Sequence, residues 1–148
     1  MKRRLFLAGA AGALIAPALP RPALAQYNSI EPLIREITGG APLRQGRVTL
    51  ELPQLADNGN SVPMRVSVES HMTAADHVKS IHLLSERNPV PRMATFHLAP
   101  RASKAEIRSR VRLAGSQSVT AIAELSDGSF WSASAQVVVT LSACMDES

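Results

Sequence analysis

From residue 47 onward, apolar and polar residues alternate in short runs rich in Val, Ile and Leu, broken by Gly, Asn, Asp and Pro. A period of two marks strands with one buried face, and it predicts seven: 47–52, 62–70, 78–85, 93–98, 105–113, 118–125 and 130–141. Apolar faces run through Val62, Met64, Val66 and Val68, through Ile107, Ser109, Val111 and Leu113, and through Val119, Ala121, Ala123 and Leu125. The opposite faces are expected to be polar. Asp57-Asn58-Gly59-Asn60, Asn88-Pro89, Ala114-Gly115 and Asp127-Gly128 supply turns, the last as a two-residue type I′ hairpin. Seven closely spaced strands without intervening helices predict an all-β fold, an antiparallel sandwich of immunoglobulin-like type.

Ahead of the strands the period changes. Ile30, Leu33, Ile34 and Ile37 fall at i, i+3, i+4 and i+7, which predicts a short amphipathic helix with Ser29 as N-cap and Gly39-Gly40 as stop. Pro32 fits the first turn, where a backbone N–H has no intrahelical partner.

The first 25 residues read differently again. Lys2, Arg3 and Arg4 precede an apolar run of twelve residues, 5–16, and Ala23-Leu24-Ala25 forms a small-x-small ending. This is the pattern of a secretory signal cleaved after Ala25. A bilayer needs about 20 apolar residues, so a retained membrane anchor is the weaker reading. Arg3-Arg4 followed directly by Leu5-Phe6-Leu7 matches a twin-arginine signal, with the periplasm as destination. The expected organisation is a signal at 1–25, helix and linker at 26–46, sandwich at 47–141 and a tail at 142–148.

Removing the signal changes the charge argument. The whole chain carries +4, but four of its sixteen basic residues, Lys2, Arg3, Arg4 and Arg21, lie in the signal, and no acid does. Twelve basic residues then face twelve acidic ones, which removes the electrostatic case for nucleic acid.

Candidate chemistry is sparse. Cys144 is the only cysteine, so no disulfide can form within the chain, and it follows the last strand closely. A thiolate there can hold a substrate covalently, or the residue is an incidental tail cysteine; Asp146 and Glu147 work against its ionisation. Arg108, Arg110 and Arg112 share one strand face with Glu106 and could meet an anion or acidic partner, or simply form a solvated, charge-protected edge. His71, His77, His82 and His97 with Met64, Met72 and Met93 raise the question of a copper site, but no tight ligand spacing supports one, and His82 and His97 read as outward strand positions. No phosphate loop, nucleophile elbow or serine relay is present, so neither a cofactor nor independent catalysis is expected.

The stretch Leu50-Glu51-Leu52-Pro53-Gln54-Leu55-Ala56-Asp57-Asn58-Gly59-Asn60-Ser61-Val62-Pro63 resembles the first block of SoxY, the sulfur-carrier subunit of the bacterial thiosulfate-oxidising system. Val78-Lys79-Ser80-Ile81-His82-Leu83, Asn88-Pro89, Ala94-Thr95-Phe96-His97 and Ala123-Glu124-Leu125-Ser126-Asp127-Gly128-Ser129-Phe130-Trp131 resemble the same family in order and spacing. The resemblance implies an immunoglobulin-like sandwich, a heterodimer with a SoxZ-type β subunit, export of the pair on one signal, and a non-catalytic role. It makes Cys144 the covalent attachment site for sulfur intermediates, loaded by a haem-containing enzyme and trimmed by a sulfate-releasing hydrolase. Where the family ends Gly-Gly-Cys-Gly-Gly, this chain reads Ser142-Ala143-Cys144-Met145-Asp146. Glycine gives such an arm its freedom. The departure sets a second expectation beside the first: a divergent paralogue that acts as a binding or assembly module without carrying sulfur.

Overall fold

The computed structural model describes residues 29–141. One helix, α1 (Glu31–Thr38), precedes strands β1 (Leu43–Gln45), β2 (Val48–Glu51), β3 (Leu55–Asn58), β4 (Val62–Val68), β5 (Val78–Ser85), β6 (Arg92–His97), β7 (Ala105–Val111), β8 (Gln117–Leu125) and β9 (Phe130–Leu141). The larger sheet runs β1-β9-β8-β5-β6, with β3 beside the far half of β9; the smaller is β2-β4-β7. They pack face to face. Val48, Met64, Val66 and Val68 of the small sheet meet Ile81, Leu83, Ala121, Ala123 and Leu125 of the large one. This is the expected immunoglobulin-like sandwich, and all seven expected strands lie within two residues of their predicted bounds.

Two strands escaped the pattern. β1 (Leu-Arg-Gln) and β3 (Leu-Ala-Asp-Asn) lack the apolar–polar alternation that β2 (Val-Thr-Leu-Glu) shows, and both run parallel to β9: Leu43↔Phe130 to Gln45↔Ser132, then Leu55↔Val138 to Asn58↔Leu141. Asp57 and Asn58 therefore belong to β3 and not to a turn. The reversal follows them, with Asn60 N–H donating to Asn58 Oδ1 at 2.8 Å. The β8–β9 connection also differs from the two-residue I′ form, which needs φ > 0 at both central residues. Only Gly128 is left-handed there (φ 81°). Ser126 is drawn away by a bond from its N–H to the His77 carbonyl, and the loop closes through Leu125 N–H on the Ser129 carbonyl at 3.0 Å.

The expected polar second face holds for the small sheet and fails for the large one. Leu84, Ile122 and Phe130 project from the back of the large sheet into a cluster covered by Ile30, Leu33, Ile34 and Ile37 of the helix segment. β8 is consequently buried on both faces from Val119 to Ala123. Ser29 does not cap the helix: Ile30 occupies the N-cap position and makes no side-chain cap bond. The apolar stripe docks α1, so the missing cap is tolerated. Gly39 ends the helix at φ 60°, a conformation that a side chain would strain.

Ile122 is fully buried at the centre of this helix-to-sheet contact. Ile122→Ala is expected to cost about 2–5 kcal/mol, read as a lowered urea midpoint; an unchanged midpoint would show that α1 adds nothing to stability.

Candidate functional site

The predicted attachment residue Cys144, the paired Arg3 and Arg4, and the cleavage residue Ala25 lie outside the described residues. The structure instead defines the platform from which the C-terminal segment departs. β9 is held to its last residue: Val138 N–H donates to the Gln54 carbonyl (2.9 Å), Thr140 Oγ1 to the Asp57 carbonyl (2.7 Å), and Gly59 N–H to the Leu141 carbonyl (2.8 Å). Gly59 in turn accepts from Leu113 N–H at 2.8 Å. Two hydrogen bonds thus link the base of the tail to the end of β7. Leu55 and Val138, paired across β3 and β9, are exposed beside it, as is Leu141.

A groove opens at that end of the sandwich, between edge strands β6 and β7, with a volume of about 410 Å³. Met93, Phe96 and Val111 line it as apolar residues, and Arg92, Arg110 and Arg112 as cations. Ser109, assigned by its period to the apolar face, is exposed at this groove, although Val111 and Leu113 beyond it on the same face pack against the core.

The groove wall is fixed by a buried polar network that the sequence pattern did not reveal. Ser85 Oγ donates to Gln117 Oε1. Gln117 Nε2 donates to Asn88 Oδ1 at 3.0 Å, Asn88 Nδ2 to the Arg112 carbonyl at 2.9 Å, and Ala114 N–H to Asn88 Oδ1 at 2.9 Å. Asn88 thereby ties the β5–β6 turn to the end of β7, so Asn88-Pro89 does more than reverse the chain. The only sequence signal was polar residues at inward strand positions, which need partners when buried.

Arg108 and Arg110 stand on the outer face of the small sheet. Arg108 Nε donates to Glu106 Oε1 at 2.7 Å, and Arg65, opposite on β4, reaches Glu106 at 2.9 Å and Glu51 at 3.3 Å. Hydrogen bonds from Arg65 and Arg108 hold the Glu106 carboxyl below the usual carboxylate range, and Glu106 raises Arg65. Arg110 donates to Ser61 Oγ (2.6 Å) and to the Ser61 carbonyl (3.2 Å). Arg112 is exposed.

The histidines do not converge. His71 pairs with Asp76 at 3.0 Å, His77 Nδ1 lies 3.0 Å from the Thr73 carbonyl, and Met64 and Met72 are buried in the core. Among the described residues no group of three His, Cys, Asp or Glu is placed to hold a metal. His82 and His97 do face outward from the large sheet, but His82 is half-buried, with hydroxyls of Ser80 and Thr95 each 3.1 Å from its ring nitrogens. Burial pushes its pKa down, aided by Arg92 and His97 and opposed by Glu124.

The described chain is thus a small immunoglobulin-like sandwich with a basic groove, and the only cysteine of the sequence follows β9. The family model for sulfur oxidation protein SoxY matches residues 34–144, and the chain belongs to that family. The sulfur carrier protein SoxY from Chlorobium limicola f thiosulfatophilum superposes with a TM-score of 0.63 at 24% identity, over 76% of this chain and 96% of that one. The same fold recurs in the superoxide reductase (neelaredoxin) from Ignicoccus hospitalis, with a TM-score of 0.56 at 21% identity over 64% of this chain and 80% of that one. It recurs also in the superoxide reductase from Nanoarchaeum equitans, with a TM-score of 0.55 at 12% identity over 65% of this chain and all of that one, 100%. No curated protein matches the sequence.

The depressed His82 pKa makes the fold pH-sensitive in a defined direction. The folded state binds this proton less tightly than the unfolded chain does. The resulting stability is present above the unfolded value of about 6.5 and is lost as pH falls through it to the folded value. Urea melts at pH 8 and pH 5 are expected to show a larger acid loss for the natural chain than for His82→Gln; equal losses would remove His82 as the cause.

Proposed function

We propose that this protein is a periplasmic sulfur carrier, itself non-catalytic, that holds a sulfur species covalently on Cys144 and works as a heterodimer with a SoxZ-type subunit. One observation carries the reading: the SoxY family match continues beyond the sandwich and ends at Cys144, the only cysteine of the chain. The firmly tied end of β9 supports it, because a rigid base lets a short tail present a thiol to other enzymes while the scaffold stays fixed. Export by the twin-arginine route, through Arg3 and Arg4 with cleavage after Ala25, delivers the folded pair.

Loading thiosulfate onto the thiol forms a sulfur–sulfur bond, releases the thiol proton and removes two electrons, which the haem-containing partner accepts. Hydrolysis of the terminal sulfonate by water then frees sulfate and leaves a persulfide on Cys144. The chain contributes the nucleophile and the docking surface.

Intact-mass spectrometry of the protein after incubation with thiosulfate and its partner enzymes is expected to show an adduct on Cys144 that reductant removes. A thiol left unmodified in that assay ends the carrier reading. The second reading, a binding or assembly module, is favoured by Ser142-Ala143-Cys144-Met145-Asp146, whose side chains restrict an arm that glycines would free. For that module, Cys144→Ser leaves partner binding and sulfur oxidation unchanged.

A further inference from the structure

β7 ends the three-stranded sheet. One edge pairs with β4 over all seven residues, from Val68↔Ala105 to Val62↔Val111, without a register shift. Its other edge has no strand beside it among the described residues. A regular, open edge is a template for another strand, and proteins that avoid such pairing interrupt the edge with proline, bulges or charged side chains, lysine above all. β6, across the groove, carries such protection: Pro89 and Pro91 precede it, and its pairing with β5 shifts between Leu83 and Leu84. β7 has no proline, bulge or lysine within its span; its protection is the charged row Glu106, Arg108 and Arg110, which deters a neutral or basic strand and admits an acidic one.

Those arginines are not equivalent. Arg108 is neutralised by Glu106, whereas Arg110 is held by Ser61, and Arg110 and Arg112 both line the groove with no carboxylate partner among the described residues. No carboxylate lines the groove among the described residues. The floor beside this basic rim is apolar, formed by Met93, Phe96 and Val111.

We propose that the open edge of β7 and the groove beside it dock an acidic, extended strand of the partner subunit, which becomes the fourth strand of the small sheet. This rests on the heterodimer reading above. Alternation in the incoming strand would serve both faces, with Asp or Glu meeting Arg110 and Arg112 and apolar residues covering Met93 and Phe96. The charge pattern selects against a second copy of this chain. Antiparallel self-pairing centred on Arg108 or Arg110 sets that arginine against its own copy, and the one carboxylate on that face, Glu106, is already held by Arg65 and Arg108.

The test is co-expression of the full-length chain with a SoxZ-type subunit from the same cell. Size-exclusion chromatography detects the complex, and hydrogen–deuterium exchange maps it. Amides of 105–112 are expected to exchange about tenfold more slowly in the complex than in the isolated chain. The double variant Arg110→Glu, Arg112→Glu is expected to weaken association about tenfold or more while keeping the thermal melt of the isolated chain. Arg35→Glu, on the exposed side of α1, should change neither.

A complex that forms without protection at 105–112, for instance with protection at 55–58 and 138–141 instead, overturns this docking edge and leaves the heterodimer reading intact. Failure to form any complex removes that reading and the proposal with it. Protection that rises with the concentration of the isolated chain assigns the edge to a second copy. Protection in the isolated chain that disappears on truncation after Leu141 assigns it to residues 142–148. Either result overturns the acidic partner strand.

Discussion

The antiparallel pairing of β8 with β9, eight residue pairs from Gln117↔Val137 to Glu124↔Phe130, is the interaction on which the rest depends. β8 sends Val119, Ala121, Ala123 and Leu125 into the space between the sheets and Ile122 into the contact with α1. β9 offers its remaining edge to β1 over one half and to β3 over the other. One hairpin therefore organises the sandwich core, the helix contact and the sheet edge. With a single cysteine the chain has no internal disulfide to compensate for a weakened core, so these contacts must suffice.

The same hairpin sets the geometry of function. Because β9 is bonded through Leu141, the tail begins from a fixed point, and the Leu141–Gly59–Leu113 bonds place that point beside the end of β7. The Ser85–Gln117–Asn88 network locks the neighbouring turn with buried hydrogen bonds, where an apolar contact would leave its direction less specified. Under the proposed carrier reading, Cys144 follows this fixed point by three residues in sequence, with the basic groove beside it.

Much of this was legible before any coordinates. The period of two located seven of the nine strands because burial on one face imposes alternation, and the i, i+3, i+4, i+7 spacing of Ile30, Leu33, Ile34 and Ile37 located the helix. The misreadings share a cause. β1 and β3 do not alternate and are held as strands by β9, Asp57-Asn58 has turn-forming composition but lies in β3, and Ser29 has the chemistry of a cap at a helix end that tertiary packing holds instead. The Arg108, Arg110 and Arg112 series was visible as one face of a strand, but its division into a neutralised Arg108 and two groove-facing cations depends on Glu106, Ser61 and β6.

The sequence by itself determined the strand pattern, the amphipathic helix, the neutral balance of the chain beyond its basic start, and the single cysteine with its family context. These are local or additive properties, written in spacing and composition. Tertiary structure decided which strand edges stay open, that the back of the large sheet is covered by α1, and that the base of the tail lies beside a basic groove. Those depend on contacts between residues far apart in the chain, such as Leu113 with Gly59 and Asn88 with Gln117, and no local pattern specifies a partner 29 or 54 positions away.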